Sequence, residues 1–308
     1  MVTTYYSKAR ERAIQLLDAP RTGSWIVVSN PTEAELDKLA TDFKLERDNL
    51  TDAIDPYEAP RIEVEDKRVY IYTRYCYPEG VEIATEPLLI ISTEDHLICV
   101  VRTDTNILDR LTSNIIDVVT TQKTKTLLQI LGEINLSYER QLNRVSKRIL
   151  QLRGRMRQGE ISKREFIGII ELEEDMNEFL SGLQPQALLL SSLLNGKYLK
   201  LYEQDRDIIE DIERSTGELI EQLRGRLRTL SSMRAAYDAI ATTNLNATFK
   251  RLTSIAIFMT IPTIIGGIWG MNVDIPLQHA RYAFWMVLAL IAALTGGAIW
   301  FFNRKKWL

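Results

Sequence analysis

Few residues in this chain are equipped for covalent or redox chemistry. Its 308 residues include only two cysteines and two histidines. Cys76 and Cys99 have no CxxC spacing, so they read as strand or core residues rather than a metal or redox pair. A reducing compartment suits them without being required. No Gly-rich nucleotide loop, nucleophile triad or zinc cluster is recognisable, so the sequence reads as a non-enzyme without a cofactor. The opening Met1-Val2-Thr3-Thr4-Tyr5 lacks an apolar signal-peptide core. Positive charge is also short over most of the chain. Residues 237–308 hold six basic and two acidic side chains, a net of +4; the whole chain is -3, which leaves -7 for residues 1–236. That sign does not suit nucleic acid, which is held by cationic side chains that displace counterions. It is compatible with divalent cations.

The most informative scarcity is local. Leu252 to Met271 is a run of 20 residues without Asp, Glu, Lys, Arg or His, and Tyr282 to Phe302 is a second run of 21. A helix needs about 20 apolar residues to cross a hydrocarbon core. Pro262 inside the first run is tolerable in a membrane helix. The chain is therefore expected to be multi-pass, crossing a cell membrane twice and contacting the lipid bilayer. Lys250 and Arg251 precede the first run; Arg304, Lys305 and Lys306 follow the second. Basic residues favour the cytoplasmic side, so both termini are expected there, with the short connection carrying Asp274, His279 and Arg281 outside. His96 and His279 then lie on opposite sides of the membrane. Trp269, Tyr282, Trp285, Trp300 and Trp307 sit near the expected headgroup levels.

Ahead of the spans, Gly23 to Asn30 reads as a strand followed by a helix start. Asn30 or Thr32 is positioned to cap it, and Ala34, Leu36, Leu39, Ala40 and Phe43 form its apolar face. Strand-rich segments follow at 61–77 and 88–102, with Pro78 and Gly80 marking a turn. Residues 1–107 are thus expected to form an α/β domain. Residues 108–198 read as helical: one helix over 108–154, a turn between Gly154 and Gly159, a second helix over 161–181, and further helix after Pro185. No proline occurs between Pro185 and Pro262. Leu219, Leu223, Leu227, Leu230, Met233, Tyr237, Ile240 and Asn244 recur at steps of three or four, one helix face. A long stalk helix is expected over 199–251, running unbroken into the first span at 252–271. A loop at 272–281, a second span at 282–302 and a basic tail at 303–308 complete the chain. Two arrangements satisfy the stalk's need for lateral partners: an intramolecular coiled coil, or self-association about an axis.

Two spans cannot enclose a wet path, but a closed ring of identical chains can. The first span is the better lining candidate. Asn246, Phe249, Leu252 or Thr253, Ala256, Thr260, Thr263 and Gly267 recur at helical steps, mixing small, polar and apolar groups without charge. Such a stripe suits a narrow pore with constrictions at Leu252 and Phe249. Small and hydroxyl residues also serve simply to pack membrane helices together.

Gly270-Met271-Asn272, at the outer end of the first span, resembles the signature of the CorA-type magnesium/cobalt transport family. Lys305-Lys306-Trp307-Leu308 looks like that family's C-terminus. So does Asn246 followed by Lys250, Leu252 and Thr253 at the entry to the first span. The resemblance covers essentially the whole chain. It implies a homopentameric channel for Mg²⁺, often passing Co²⁺ and sometimes Ni²⁺, gated by cytoplasmic Mg²⁺. Five copies of Gly270-Met271-Asn272 would form the selectivity site, with the first span lining the pore. Mg²⁺ keeps its waters, so Asn272 amide oxygens and Gly270 carbonyls would bind a hydrated ion. The Met271 thioether matches a hard cation poorly.

Some features depart from the family's usual pattern. Pro276 is followed by Leu277 and Gln278 rather than an acid; Ala235 stands where an acid often precedes the tyrosine, here Tyr237; and Pro262 comes one place late. These departures bear on ion preference and gating. Glu203, Asp205, Asp207, Glu210, Asp211 and Glu213 cluster early in the long helix. They read either as a solvated face or as a regulatory Mg²⁺ site whose repulsion the ion relieves. Transport of another divalent ion (Co²⁺, Ni²⁺ or Zn²⁺), or a non-transporting membrane anchor or sensor, are the alternative functions.

Overall fold

The computed structural model describes residues 1–9, 13–79, 82–157, 163–273 and 280–305. The chain divides into two compact units, Met1–Met233 and Arg234–Leu308.

The first unit is a mixed α/β domain with a helical extension. It opens with β1 (Val2–Tyr6), β2 (Gln15–Leu17), β3 (Trp25–Ser29), α1 (Glu33–Phe43) and α2 (Arg47–Asp52). β4 (Arg61–Glu65), β5 (Arg68–Glu79), β6 (Glu82–Ser92) and β7 (Leu97–Val101) complete a seven-stranded sheet of order β2-β1-β3-β7-β6-β5-β4. Among the described residues only β3 and β7 pair in parallel, with Val27 opposite Cys99. Alternation along the strands splits the core in two. Ile26, Val28, Tyr70, Tyr72, Leu89, Ile91, Ile98 and Val100 pack on α1 and α2 through Leu36, Leu39 and Leu50. Trp25, Val27, Ile71, Leu88, Ile90, Leu97 and Cys99 point to the other face. Covered on both faces, β7 is apolar throughout, Leu-Ile-Cys-Val-Val. Thr32 rather than Asn30 caps α1, in a reciprocal box: the Glu35 N–H donates to Thr32 Oγ1 (3.3 Å), and the Thr32 N–H donates to Glu35 Oε2 (2.9 Å).

The second face of the sheet is covered by α4 (Lys123–Arg157) and α5 (Lys163–Leu194), preceded by the single turn α3 (Asp109–Thr112). The expected helix over 108–154 is therefore two elements. Between them Asn114 adopts φ +60° and its Oδ1 accepts the Ile14 N–H (2.7 Å), while Thr120 Oγ1 accepts the Ser7 N–H (2.9 Å). These side chains tie the segment to β1 and β2 in place of a helical ladder. Gly154 lies within α4, and residues 158–162, including Gly159, are outside the described residues. Pro185 does not divide α5. Its ring removes one helical hydrogen bond, but Leu183, Gln186, Leu189 and Leu190 on either side of it are buried, and that packing outweighs the local penalty. Pro78 likewise belongs to β5, paired with Ile83; Gly80 lies outside the described residues.

α6 (Glu203–Trp269) is one helix of 67 residues. It starts at Glu203 rather than Leu199 because a turn with Gly196 at φ +66° precedes it. Its first part packs on α4 within the chain: Ile209, Ile212, Leu219, Ile220, Leu223, Leu230 and Met233 are buried in the same core. Asn135 Nδ2 donates to Ser215 Oγ (2.8 Å), and Thr216 Oγ1 donates to Asn135 Oδ1 (3.0 Å). Gly132 lies opposite Ile212, so α4 and α6 run parallel. An intramolecular partner thus serves the stalk as far as Met233.

In the second unit the rest of α6 meets α7 (Ala283–Arg304). Both helices are long and apolar enough to cross a membrane, and their apolar windows are almost wholly exposed rather than packed in a core. Large apolar side chains such as Leu252, Ile255, Met259, Phe284 and Leu288 face outward, as lipid or protein neighbours in a bilayer require.

Candidate functional site

The second unit places the residues of the candidate pore on one side of α6. Asn246, Phe249, Leu252, Thr253, Ala256, Thr260, Thr263 and Gly267 are all exposed. The opposite side carries a different row. Ser254 is fully buried, Phe258 stacks edge-on to Phe302 of α7 with centroids 5.5 Å apart, and Ile261, Pro262, Ile265 and Trp269 are half-buried. At 3.6 residues per turn, Ala256, Thr260, Thr263 and Gly267 each lie about 200° around the axis from Ser254, Phe258, Ile261 and Ile265. α7 answers with Ala283, Val287, Ile291, Thr295, Ala298 and Phe302, all buried or half-buried at steps of three or four. The first helix therefore has one face against α7 and the opposite face free within the chain. That seam has its own spacing of four, three and four from Ser254, which in the sequence competes with the hydroxyl stripe.

The threonines of the stripe are chemically directed. Thr260 Oγ1 donates to the Ala256 carbonyl (2.8 Å), and Thr263 Oγ1 donates to the Met259 carbonyl (2.8 Å). Each hydroxyl proton is thereby committed to the backbone, which leaves the oxygen free to act only as an acceptor. Water around a cation presents hydrogens outward, so acceptors are the partners it needs.

α6 ends at Trp269, and its last turn closes with Gly270 N–H donating to the Gly266 carbonyl (2.9 Å) and Met271 N–H to the Ile268 carbonyl (3.3 Å). A Cβ on Gly270 would stand 3.2 Å from Gly266 O, so glycine lets the chain turn closely over its own helix end. Met271 and Asn272 follow, both exposed. Asp274, Pro276, Leu277, Gln278 and His279, with Lys306, Trp307 and Leu308, lie outside the described residues. At the other end of α7, the Arg304 guanidinium lies 5.4 Å from the Trp300 ring.

The acidic group in the first unit is not one constellation. Asp205 is buried and its Oδ2 accepts the Tyr202 N–H (3.0 Å), which caps the start of α6. Asp211 pairs with Arg214 (2.8 Å), and Glu213 accepts from the Ser191 hydroxyl. Glu203, Asp207 and Glu210 are exposed and share one helix face at steps of four and three. Among the described residues, no group of three or more His, Cys, Asp and Glu is arranged to hold a metal ion within one chain.

Comparison with known proteins places this geometry. The "Cobalt/magnesium transport protein CorA" of Methanocaldococcus jannaschii is 26% identical over 295 residues, covering 92% of this chain and 91% of that protein. The complete structure of the CorA magnesium transporter from the same organism superimposes with a TM-score of 0.87 at 24% identity, over 100% of this chain and 99% of that one. A zinc transport protein ZntB of Pectobacterium carotovorum is 24% identical over 127 residues, 41% of this chain and 39% of that protein. The model of the family described as CorA-like Mg²⁺ transporter protein matches residues 21–305. With an α/β domain, a long helical stalk and two apolar C-terminal helices, the chain belongs to this family of divalent-cation transport proteins.

Proposed function

We propose that this chain conducts Mg²⁺ across the cell membrane as a homopentamer, with both termini in the cytoplasm. The observation that carries the reading is Asn272, placed one turn beyond an uncharged, exposed helix face whose hydroxyls are acceptors. Five copies of that face line a path, α7 packs behind it, and five Asn272 amide oxygens accept hydrogen bonds from the waters of the incoming ion. Gly270 carbonyls supply a second set of acceptors, and Met271 packs between chains. Deeper in, Phe249 and Leu252 narrow the path and Asn246 offers another polar ring. An uncharged route holds the ion weakly enough to release it. At about 100 mV, negative inside, a divalent ion gains roughly 4.6 kcal/mol on entry. Co²⁺ and Ni²⁺, with similar hydration, are further cargo.

Cytoplasmic Mg²⁺ closes the channel by bridging carboxylates at subunit contacts. The exposed face of Glu203, Asp207 and Glu210 is the part of the acidic group open to such a contact, whereas Asp205, Asp211 and Glu213 already have partners within the chain. The test is Asn272→Ala in liposomes loaded with a Mg²⁺ indicator. The variant assembles normally and loses Mg²⁺ flux; unchanged selective flux removes Asn272 from the site. The match to a zinc transport protein and the non-acidic Pro276-Leu277-Gln278 favour Zn²⁺ as the second reading. Zn²⁺ uptake with negligible Mg²⁺ uptake, measured side by side, would establish it.

A further inference from the structure

Within the first unit, the seam between α4 and α6 carries a polar pairing where apolar side chains alone would serve for burial. Along α6, Ile209, Thr216, Leu223 and Leu230 recur at steps of seven and are all buried; Ile212, Leu219 and Met233 form the neighbouring row. α4 brings Leu128, Leu131 and Ile134, fully buried in the same core. Between Ile209 and Met233, Thr216 is the one buried polar residue of α6. It meets Asn135 of α4, itself 5% exposed. Asn135 Nδ2 donates to Ser215 Oγ (2.8 Å), and Asn135 Oδ1 accepts from Thr216 Oγ1 (3.0 Å), so both ends of the amide are satisfied.

A seven-residue apolar repeat does not select its own register, whereas one buried polar pair does. Sliding α6 by seven residues would put Ile209 or Leu223 where Thr216 stands; sliding it by one turn would put Ile212 or Ile220 there. In each case the hydroxyl beside Asn135 Oδ1 becomes an alkyl group, and a buried amide deprived of its partner disfavours that register roughly tenfold. We propose that Asn135 is a positioning residue: with Ser215 and Thr216 it locks α6 at one axial position against α4. α6 is unbroken from this point to Trp269, and a helix keeps its rise through its own hydrogen bonds. An axial slip at Asn135 is therefore carried along the helix that bears the candidate pore face. The lock stands without the transport reading; its effect on Mg²⁺ flux rests on that reading.

The experiment uses the full chain in liposomes. Gly132→Cys is combined in turn with Ile212→Cys, Ile208→Cys and Leu219→Cys, and a short thiol crosslinker reports which pair is close within one chain. A Cβ on Gly132 would stand 3.9 Å from Ile212 Cδ1, and Cys76 and Cys99 are buried. With Asn135 in place, the Ile212 pair is expected to link roughly tenfold faster than the other two. Asn135→Leu is expected to bring the three rates within about threefold while the urea midpoint holds or rises, because an apolar residue in the seam costs register rather than stability. Exchanging the partners, Asn135→Thr with Thr216→Asn, rebuilds the pairing and restores the Ile212 preference. In the same liposomes Asn135→Leu shifts the internal Mg²⁺ concentration for half-closure by about fivefold, and the exchange returns it. An Ile212 preference that survives Asn135→Leu overturns the lock; spread links with an unchanged Mg²⁺ response overturn the positioning role. Where Asn135→Leu does not fold, Ser215→Ala with Thr216→Val removes the same pairing from α6 and is read in the same way. Absence of flux from the unaltered chain removes the transport reading and leaves the crosslinking result to decide the lock.

Discussion

At the scale of single residues, the tightest constraint lies between α5 and α4. Gly182 faces Tyr138, and a Cβ there would overlap the tyrosine hydroxyl while the ring carbon Cζ stays at 3.5 Å. That hydroxyl is buried and has no hydrogen-bond partner, and the ring stacks edge-on to Phe179 with centroids 5.7 Å apart. Gly182→Ala is expected to destabilise the domain by about 1–3 kcal/mol through overpacking. Tyr138→Phe removes an unsatisfied polar group and is expected to be neutral or stabilising. The double variant should regain most of the loss. Urea denaturation of all three checks this; a double variant as unstable as Gly182→Ala would mean that the clash is elsewhere. Nothing in the local sequence marks this pair, since the residues are 44 positions apart and meet only when α4 and α5 lie on the sheet.

At the scale of elements, the threonines of α6 carry the prediction. Thr260→Val and Thr263→Val keep the shape of the helix face and remove its acceptors. Each is expected to lower Mg²⁺ flux several-fold with assembly unchanged, whereas Thr263→Ser retains flux. Equal flux in Val and Ser variants, in the same liposome assay, would show that these hydroxyls only pack. The two apolar helices, the alternating strand from Arg61 to Glu65 and the long stalk were legible because each has a period or length that does not depend on distant contacts. The interruption after α3 and the continuity through Pro185 were not. The first is set by Thr120 and Asn114 reaching back to Ser7 and Ile14. The second is set by burial of Gln186 against the sheet, where its Oε1 accepts from Thr73 Oγ1 at 3.2 Å. Gly270-Met271-Asn272 was legible as a motif, and the hydroxyl stripe as a spacing. The opposite, α7-facing seam has a spacing too, but only the second helix in place shows which of the two faces is covered.

At the scale of the whole molecule, the first half of α6 finds its neighbours within its own chain. The face running from Asn246 to Gly267 does not, and the proposed closed ring of copies would give it one. Native mass measurement in detergent should give five copies of the 35.4 kDa chain, and a monomer that remains soluble without detergent would end the account. The threonine hydroxyls of α6 have a further consequence for such an assembly. An anion in water is held by hydrogens pointing inward, so it can leave its hydration shell only where a wall offers hydrogens of its own. Thr260 and Thr263 have already turned theirs into the helix. In the proposed ring, a wall of this kind is expected to reject chloride by the polarity of its hydrogen bonds, with no fixed negative charge to trap a cation.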